Sequence, residues 1–126
     1  MIYGIGVDLV EKGRIARLLE KYGERFAQRV LTQIERQEFS TSKQRAAFLA
    51  VSFAAKEAFA KAVGSGFRYP VILSYITIAH DRLGKPELRF HPVLEHLLNE
   101  LNIGRHYLSL SDENNLVCAM VVLERQ

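Results

Sequence analysis

A single cysteine, Cys118, stands in the 126 residues of this chain, so no internal disulfide holds the fold together. Its setting, Val117-Cys118-Ala119-Met120-Val121-Val122, is apolar, and the expectation is a core thiol rather than a nucleophile. Long uncharged apolar runs are missing, which excludes a bilayer-spanning helix and gives no membrane partner. The first residues lack the basic-then-apolar order of an export signal, so the expected compartment is the cytoplasm. No repeat recurs at a fixed period, no segment is low in complexity, and no linker divides the chain. What remains is an ordinary globular balance, 48% apolar against 25% charged, at a length suited to one core, so residues 1–126 read as a single domain. The net charge of +3 is a mild bias towards anionic partners that does not identify one.

Several chemistries lack their spacing. The Walker order of a phosphate loop is absent. His80, His91, His96 and His106 show no zinc-ligand interval, and Ser109, Ser111 and Cys118 sit in no nucleophile elbow or ordered triad. The basic residues belong to no zinc-finger, RNA-recognition or helix-turn-helix framework, which argues against a nucleic-acid partner.

The periodicity that is present predicts a mixed order of elements. Ile2 to Leu9 alternates as a strand, with Gly4, Gly6 and Asp8 on one face and Tyr3, Ile5, Val7 and Leu9 on the other. Glycines beside Asp8 allow a second backbone or a ligand to come close. Lys12 to Tyr22 predicts an amphipathic helix with Ile15, Leu18, Leu19 and Tyr22 inward and Arg14, Arg17 and Lys21 outward. That basic stripe, extended by Arg25 and Arg29, has two readings: a solvated face, or a docking surface for an acidic helix or phosphates. Thr32-Gln33-Ile34-Glu35 has the form of a capping box and predicts a short helix to about Phe39. Ser40-Thr41-Ser42 separates it from a long helix over about Gln44 to Val63, stopped by Gly64. This central helix is apolar around most of its girth, so both sides need cover, from the sheet on one and from the chain or a neighbouring subunit on the other. Val71 to Ala79 and Glu87 to Phe90 predict two strands around a reversal at His80 to Pro86, and Pro92 starts another helix. Arg105 to Ser111 and Leu116 to Glu124 flank Asp112-Glu113-Asn114-Asn115 as a hairpin. Strand-helix alternation is missing, so the class is α+β with an antiparallel sheet packed against the long helix.

Two carboxylates stand out. Glu57 lies in Phe53-Ala54-Ala55-Lys56-Glu57-Ala58-Phe59-Ala60-Lys61, where an ionised group needs a cation to replace its lost hydration. Asp8 is equally isolated near the end of the first strand. Paired, they would suit Mg²⁺ beside a phosphate, since both present hard oxygens. The alternative pairs Glu57 with a basic side chain and leaves Asp8 to cap the helix at Lys12. Glu57, Lys61 and Gly64 share a helix face, and Gly64-Ser65-Gly66 reads either as anion-binding backbone or as a plain helix stop. His106 is positioned to touch a ligand from a strand edge.

An ordered set of motifs carries a family resemblance: Gly4-Ile5-Gly6-Val7-Asp8-Leu9-Val10-Glu11, Arg14-Ile15, Arg25-Phe26, Leu31-Thr32 with Glu35, Arg45 through Ala50, Phe53 through Ala62, Gly64-Ser65-Gly66, Leu83-Gly84-Lys85-Pro86 and His106 through Asp112. Over nearly its whole length the chain resembles the holo-acyl-carrier-protein synthase family, the small bacterial type of 4'-phosphopantetheinyl transferase. The resemblance implies transfer of 4'-phosphopantetheine from coenzyme A to a serine of acyl carrier protein, with a noncatalytic coenzyme A or nucleotide-binding module as the alternative. It implies Mg²⁺ on Asp8 and Glu57 beside the coenzyme A pyrophosphate, and a catalytic set of Asp8, Glu57 and Lys61 with Lys61 on phosphate. It implies a coenzyme A site shaped by Arg45, Phe48, Gly64 and Gly66 and bordered by His106. Arg14, Arg17, Lys21 and Arg25 would meet the carrier's acidic helix, and the family's homotrimer would place sites at subunit boundaries. One departure stands beside these: Ser52 replaces the basic residue that many members carry before the central Phe53, so either nucleotide contacts are weakened or Arg45, Lys56 and Lys61 supply the charge.

Overall fold

Because Gly4 and Gly6 alternate with Ile5 and Val7, one face of the first strand carries almost no side chain over its first half, and a helix can lie directly on the backbone. The computed structural model, which describes residues 1–126, shows that contact between β1 (Ile2–Glu11) and the central helix. A Cβ built at Gly4 would fall 1.9 Å from the carbonyl oxygen of Ala62, and one at Gly6 would fall 1.8 Å from that of Ala58. Side chain is excluded on both partners, since the helix meets the strand through its alanines.

From β1 the chain runs through α1 (Lys12–Tyr22), α2 (Glu24–Val30), α3 (Gln33–Thr41) and α4 (Arg45–Val63), the long central helix. A single 3-10 turn at Leu73–Tyr75 leads into β2 (Ile76–His80) and β3 (Pro86–Phe90), then α5 (Pro92–Glu100), β4 (Ile103–Glu113) and β5 (Leu116–Arg125). β1, β5 and β4 form an antiparallel sheet in that order, with Asp8 opposite Ala119 and Ser109 opposite Met120. β2 and β3 make a separate antiparallel pair. The α+β class holds.

Three differences from the sequence reading have local causes. The segment after Gly23 is a helix, α2, which was not expected; its seven residues are too few for a periodic stripe to declare itself, although Ala27 and Val30 are buried. The strand expected from Val71 starts only at Ile76, because the Leu73–Tyr75 turn occupies its first half. The hairpin loop narrows to Asn114-Asn115, with Asn114 at φ 52°, as tight two-residue hairpin turns require. Asn115 also serves α1: its backbone oxygen accepts from Lys12 N at 2.7 Å and its side chain from Gly13 N at 2.9 Å. Lys12 and Asp112 form an ion pair at the same corner. Two first-turn donors of α1 are therefore met by the hairpin tip, and Asp8 takes no part in capping.

Twenty-six apolar residues form one buried cluster, with Phe59 packed 4.9 Å from the ring of Phe90 and α4 running through its middle. Burying a side chain of that size contributes about 1.5–3 kcal/mol. Eleven of the nineteen α4 residues are buried by this single chain, so the helix needs no neighbouring subunit to cover its second side. The uncovered apolar surface lies elsewhere. Ile5, Val7 and Leu9 on β1, with Leu116 and Met120 on β5 and Tyr107 on β4, are exposed on the outer face of the sheet. Cys118, expected in the core, is on this face opposite Leu9 and only partly covered.

Candidate active site

The close approach of β1 and α4 brings Asp8 beside one turn of the helix. Lys61 Nζ lies 3.1 Å from Asp8 Oδ1 and donates to the Val7 carbonyl oxygen at 3.0 Å. Glu57 is one helical turn from Lys61 on the same face and has no ion-pair partner within reach. Burial, and then the charge of Asp8, hold the Glu57 carboxyl above its ordinary value, with Lys61 acting in the opposite direction. Across 49 positions of sequence the acids thus come near enough for the charge of Asp8 to act on Glu57, with one exposed ammonium, paired to Asp8, for the two carboxylates.

Gly64 ends α4 in the left-handed conformation at φ 93°, its N–H donating to Ala60 O at 3.1 Å, and Gly66 follows at φ 65°. Both are exposed and face open space, one turn beyond Lys61. His106, on β4, meets the ring of Phe90 edge-on at 5.1 Å, and its burial lowers the imidazole pKa against the opposing charges of Glu87 and Glu95.

Other expected residues do not join this cluster. Arg45 pairs with Glu24 and lies 4.1 Å over the ring of Phe39 at the opposite end of α4. Nineteen residues of helical rise separate it from Gly64 by about 28 Å. Phe48 lines a cavity of about 330 Å³ with Glu35, Ser52, Val51, Ile78 and His80, against the first half of the helix. One chain therefore does not gather Arg45 and Phe48 around Gly64 and Gly66.

Lys56 corrects a sequence expectation. It offers no charge to a nucleotide, because it is 0% exposed, with Nζ 2.7 Å from Glu35 Oε1 and 2.6 Å from the Val30 carbonyl oxygen. Ser52 is buried in the same network and donates to Glu35 Oε2 at 3.1 Å.

On α1, which follows β1 directly, and at the start of α2, Arg14, Arg17, Lys21 and Arg25 are exposed and have no ion-pair partner. α1, α2 and α3 enclose a cleft of about 750 Å³ with Leu18, Tyr22 and Phe26 beside Arg25, Arg29 and Arg36. The sequence reading missed this cleft and Arg36 because it did not place α2.

The elements define a small α+β protein with an acid pair at one strand–helix crossing. The family model described as the 4'-phosphopantetheinyl transferase superfamily matches residues 4–121. A holo-[acyl-carrier-protein] synthase of Nitrosospira multiformis is 62% identical over 99% of this chain and 100% of its own length. The crystal structure of holo-[acyl-carrier-protein] synthase from Neisseria meningitidis superposes with a TM-score of 0.97 at 51% identity, covering 99% of this chain and 100% of that one. A Bacillus anthracis synthase in complex with CoA (3',5'-ADP) gives 0.83 at 35% identity, covering 100% of this chain and 99% of its own. The chain belongs to the holo-[acyl-carrier-protein] synthase family of 4'-phosphopantetheinyl transferases.

Proposed function

We propose that the reaction of this family runs at the crossing of β1 and α4, where Asp8, Glu57 and Lys61 converge. The chain transfers 4'-phosphopantetheine from coenzyme A to a serine of apo-acyl carrier protein, producing the holo form and adenosine 3',5'-bisphosphate. The observation that supports the location is the under-compensated acid pair: burial and then the charge of Asp8 raise the Glu57 carboxyl, and Lys61 alone opposes them.

The donor set fits Mg²⁺. Both acids present hard oxygens, and no group of three or more His, Cys, Asp and Glu gathers in the chain, so diphosphate and water oxygens would complete a shell on Asp8 and Glu57. When bound, the ion supplies electrostatic stabilisation of the charge on the transferring phosphoryl group. Lys61 adds a point charge for phosphate, and the exposed Gly64–Gly66 turn offers backbone next to it. The acceptor hydroxyl comes with the carrier, so this chain needs no nucleophile of its own. Arg14, Arg17, Lys21 and Arg25 receive the acidic carrier, with the apolar floor of the adjacent cleft beneath it; unpaired exposed charge is free to steer that encounter.

Copies of the chain cover the outer sheet face, as a homotrimer. Its exposed Ile5, Val7, Leu9, Tyr107, Leu116 and Met120 share one side of paired strands, an apolar grouping suited to another copy. Assembly would also bring the Arg45 and Phe48 end of one α4 towards the glycine turn of another, uniting coenzyme A contacts that one chain keeps apart. The expected compartment is the cytoplasm. The test is intact-mass analysis of apo-acyl carrier protein incubated with coenzyme A, with and without Mg²⁺. A gain of one phosphopantetheine unit that requires the cation supports the assignment; the same gain in the presence of a chelator would remove the metal from it.

A further inference from the structure

The most deeply buried charge in the molecule takes no direct part in this chemistry. Lys56 neighbours Glu57 on α4 but points about 100° away around the helix, into the interior. Its ammonium bridges the Val30 carbonyl at the end of α2 and the Glu35 carboxylate of α3. That carboxylate also accepts from Thr32 N at 2.8 Å, Ser52 Oγ at 3.1 Å and Ile78 N at 3.0 Å, so one 3%-exposed group ties α3, α4 and β2 together with four donors.

Apolar contacts such as Phe59 on Phe90 hold this helix in the core but are not directional, and much of its surface is small. Eight of the nineteen α4 residues are alanine, and at Gly4 and Gly6 its contact with β1 is alanine backbone against glycine backbone. Small side chains fill space without interlocking, so rotation or sliding of such a helix meets a low steric barrier compared with interdigitated large residues. At the roughly 6 Å radius of a helix's side-chain surface, a rotation of about 10–15° would carry the Glu57 carboxyl about 1–1.5 Å from its place near Asp8. Buried polar contacts are directional where apolar ones are not, and a fully satisfied one specifies a single arrangement.

We propose that Lys56 and Glu35 are positioning residues that lock the axial rotation of α4 and so aim Glu57 at the cation site it shares with Asp8. The inference rests on the metal reading of those two acids. Lys56 lies at the root of the aim, one residue from Glu57, and Ser52, at the i−4 position, repeats the grip one turn earlier.

The experiment compares wild type, Lys56→Met and the double variant Lys56→Met/Glu35→Gln by thermal unfolding and by calorimetric titration of Mg²⁺ in the presence of coenzyme A. Lys56→Met strands a buried carboxylate and lowers the melting temperature; Glu35→Gln in the double variant removes that stranded charge and restores part of the loss. Positioning predicts that Mg²⁺ binding does not follow stability, staying at least fivefold weaker than wild type in whichever variant is folded. A folded variant, single or double, that binds Mg²⁺ within twofold of wild type would overturn the inference and leave a purely structural pair. Wild type that binds no Mg²⁺ beside coenzyme A would overturn the metal reading itself and the inference with it, a result told apart by the control alone.

Discussion

Gly6→Ala is the smallest change that should disturb both the fold and the chemistry. The new methyl carbon would begin 1.8 Å from the Ala58 carbonyl oxygen and 2.8 Å from both Ala58 C and Ala62 N, all of them backbone of α4. No flexible side chain is available to yield, so β1 must move. Restoring an ordinary contact of 3.4 Å requires a retreat of about 1.6 Å at that position. Overpacking of this kind costs about 1–3 kcal/mol, and at about 4 °C per kcal/mol for a chain of this size the melting temperature falls by about 4–12 °C. Asp8 is two residues along the same strand, and Lys61 now reaches it at 3.1 Å. Misplacing a reacting constellation by about 1 Å costs on the order of 100-fold in rate, so phosphopantetheine transfer measured well below the melting point should fall by about that factor. Gly13→Ala serves as the control, because a Cβ there meets only side-chain atoms, at 3.4 Å or more, and replaces glycine inside α1. It should leave rate unchanged and stability equal or higher by up to about 1 kcal/mol. A Gly6→Ala protein with wild-type melting and wild-type rate would refute the argument that backbone contact sets the site.

Glu57→Gln should abolish most turnover yet stabilise the ligand-free protein at neutral pH. A carboxyl held above its ordinary value binds protons more tightly folded than unfolded, so its ionisation costs stability as pH rises through that window; the gain in melting temperature over wild type should be present at pH 7.5 and vanish near pH 3.5. Arg14→Glu with Arg17→Glu should raise KM for the carrier by about tenfold or more at low salt and less at high salt, with coenzyme A binding unchanged, as titrations with each substrate would show. Val7→Lys with Met120→Lys places charge on paired positions of the outer sheet face and should reduce the particle to its 14.3 kDa protomer in sedimentation equilibrium.

Local rules recovered the elements whose signals are local. α1 runs over Lys12–Tyr22 as its stripe predicts, and the Thr32 capping box is present in full, Thr32 N donating to Glu35 Oε1 and Glu35 N to Thr32 Oγ1. The isolation of Asp8 and Glu57 was also visible, and the structure brings both to Lys61. Long-range pairing was not visible. The rule that a charge in an apolar helix needs a partner was applied to Glu57 and not to Lys56, its neighbour, though Lys56 is the one that is wholly enclosed. Glu35 was legible as a helix cap and therefore appeared explained. Only the packing of α3 on α4 shows that its second oxygen and the buried ammonium complete one network. The glycines of β1 were read as room for a second backbone, and α4 supplies it; alternation alone shows that Ile5, Val7 and Leu9 share a side, but not that this side is the one left exposed.

That inversion explains why the site sits where it does. In most half-buried strands the large apolar residues face inward and the small or polar ones face water. Here the side chains facing α4 have been reduced to hydrogen at Gly4 and Gly6, which lets the helix backbone approach closely enough for Lys61 to hydrogen-bond the Val7 carbonyl. A bulkier strand would hold α4 farther off, and the Asp8 carboxylate would then have to span a wider gap to meet Glu57. Close packing at the two glycines thus places the acids together, and the exposed apolar residues on the reverse face follow from the same choice, since the strand's large side chains have only that side left to occupy. Catalytic geometry and the surface offered to other copies are on this account two consequences of one glycine pattern, so a substitution such as Gly4→Ala, 1.9 Å from the Ala62 carbonyl, should impair the site without touching the outer face.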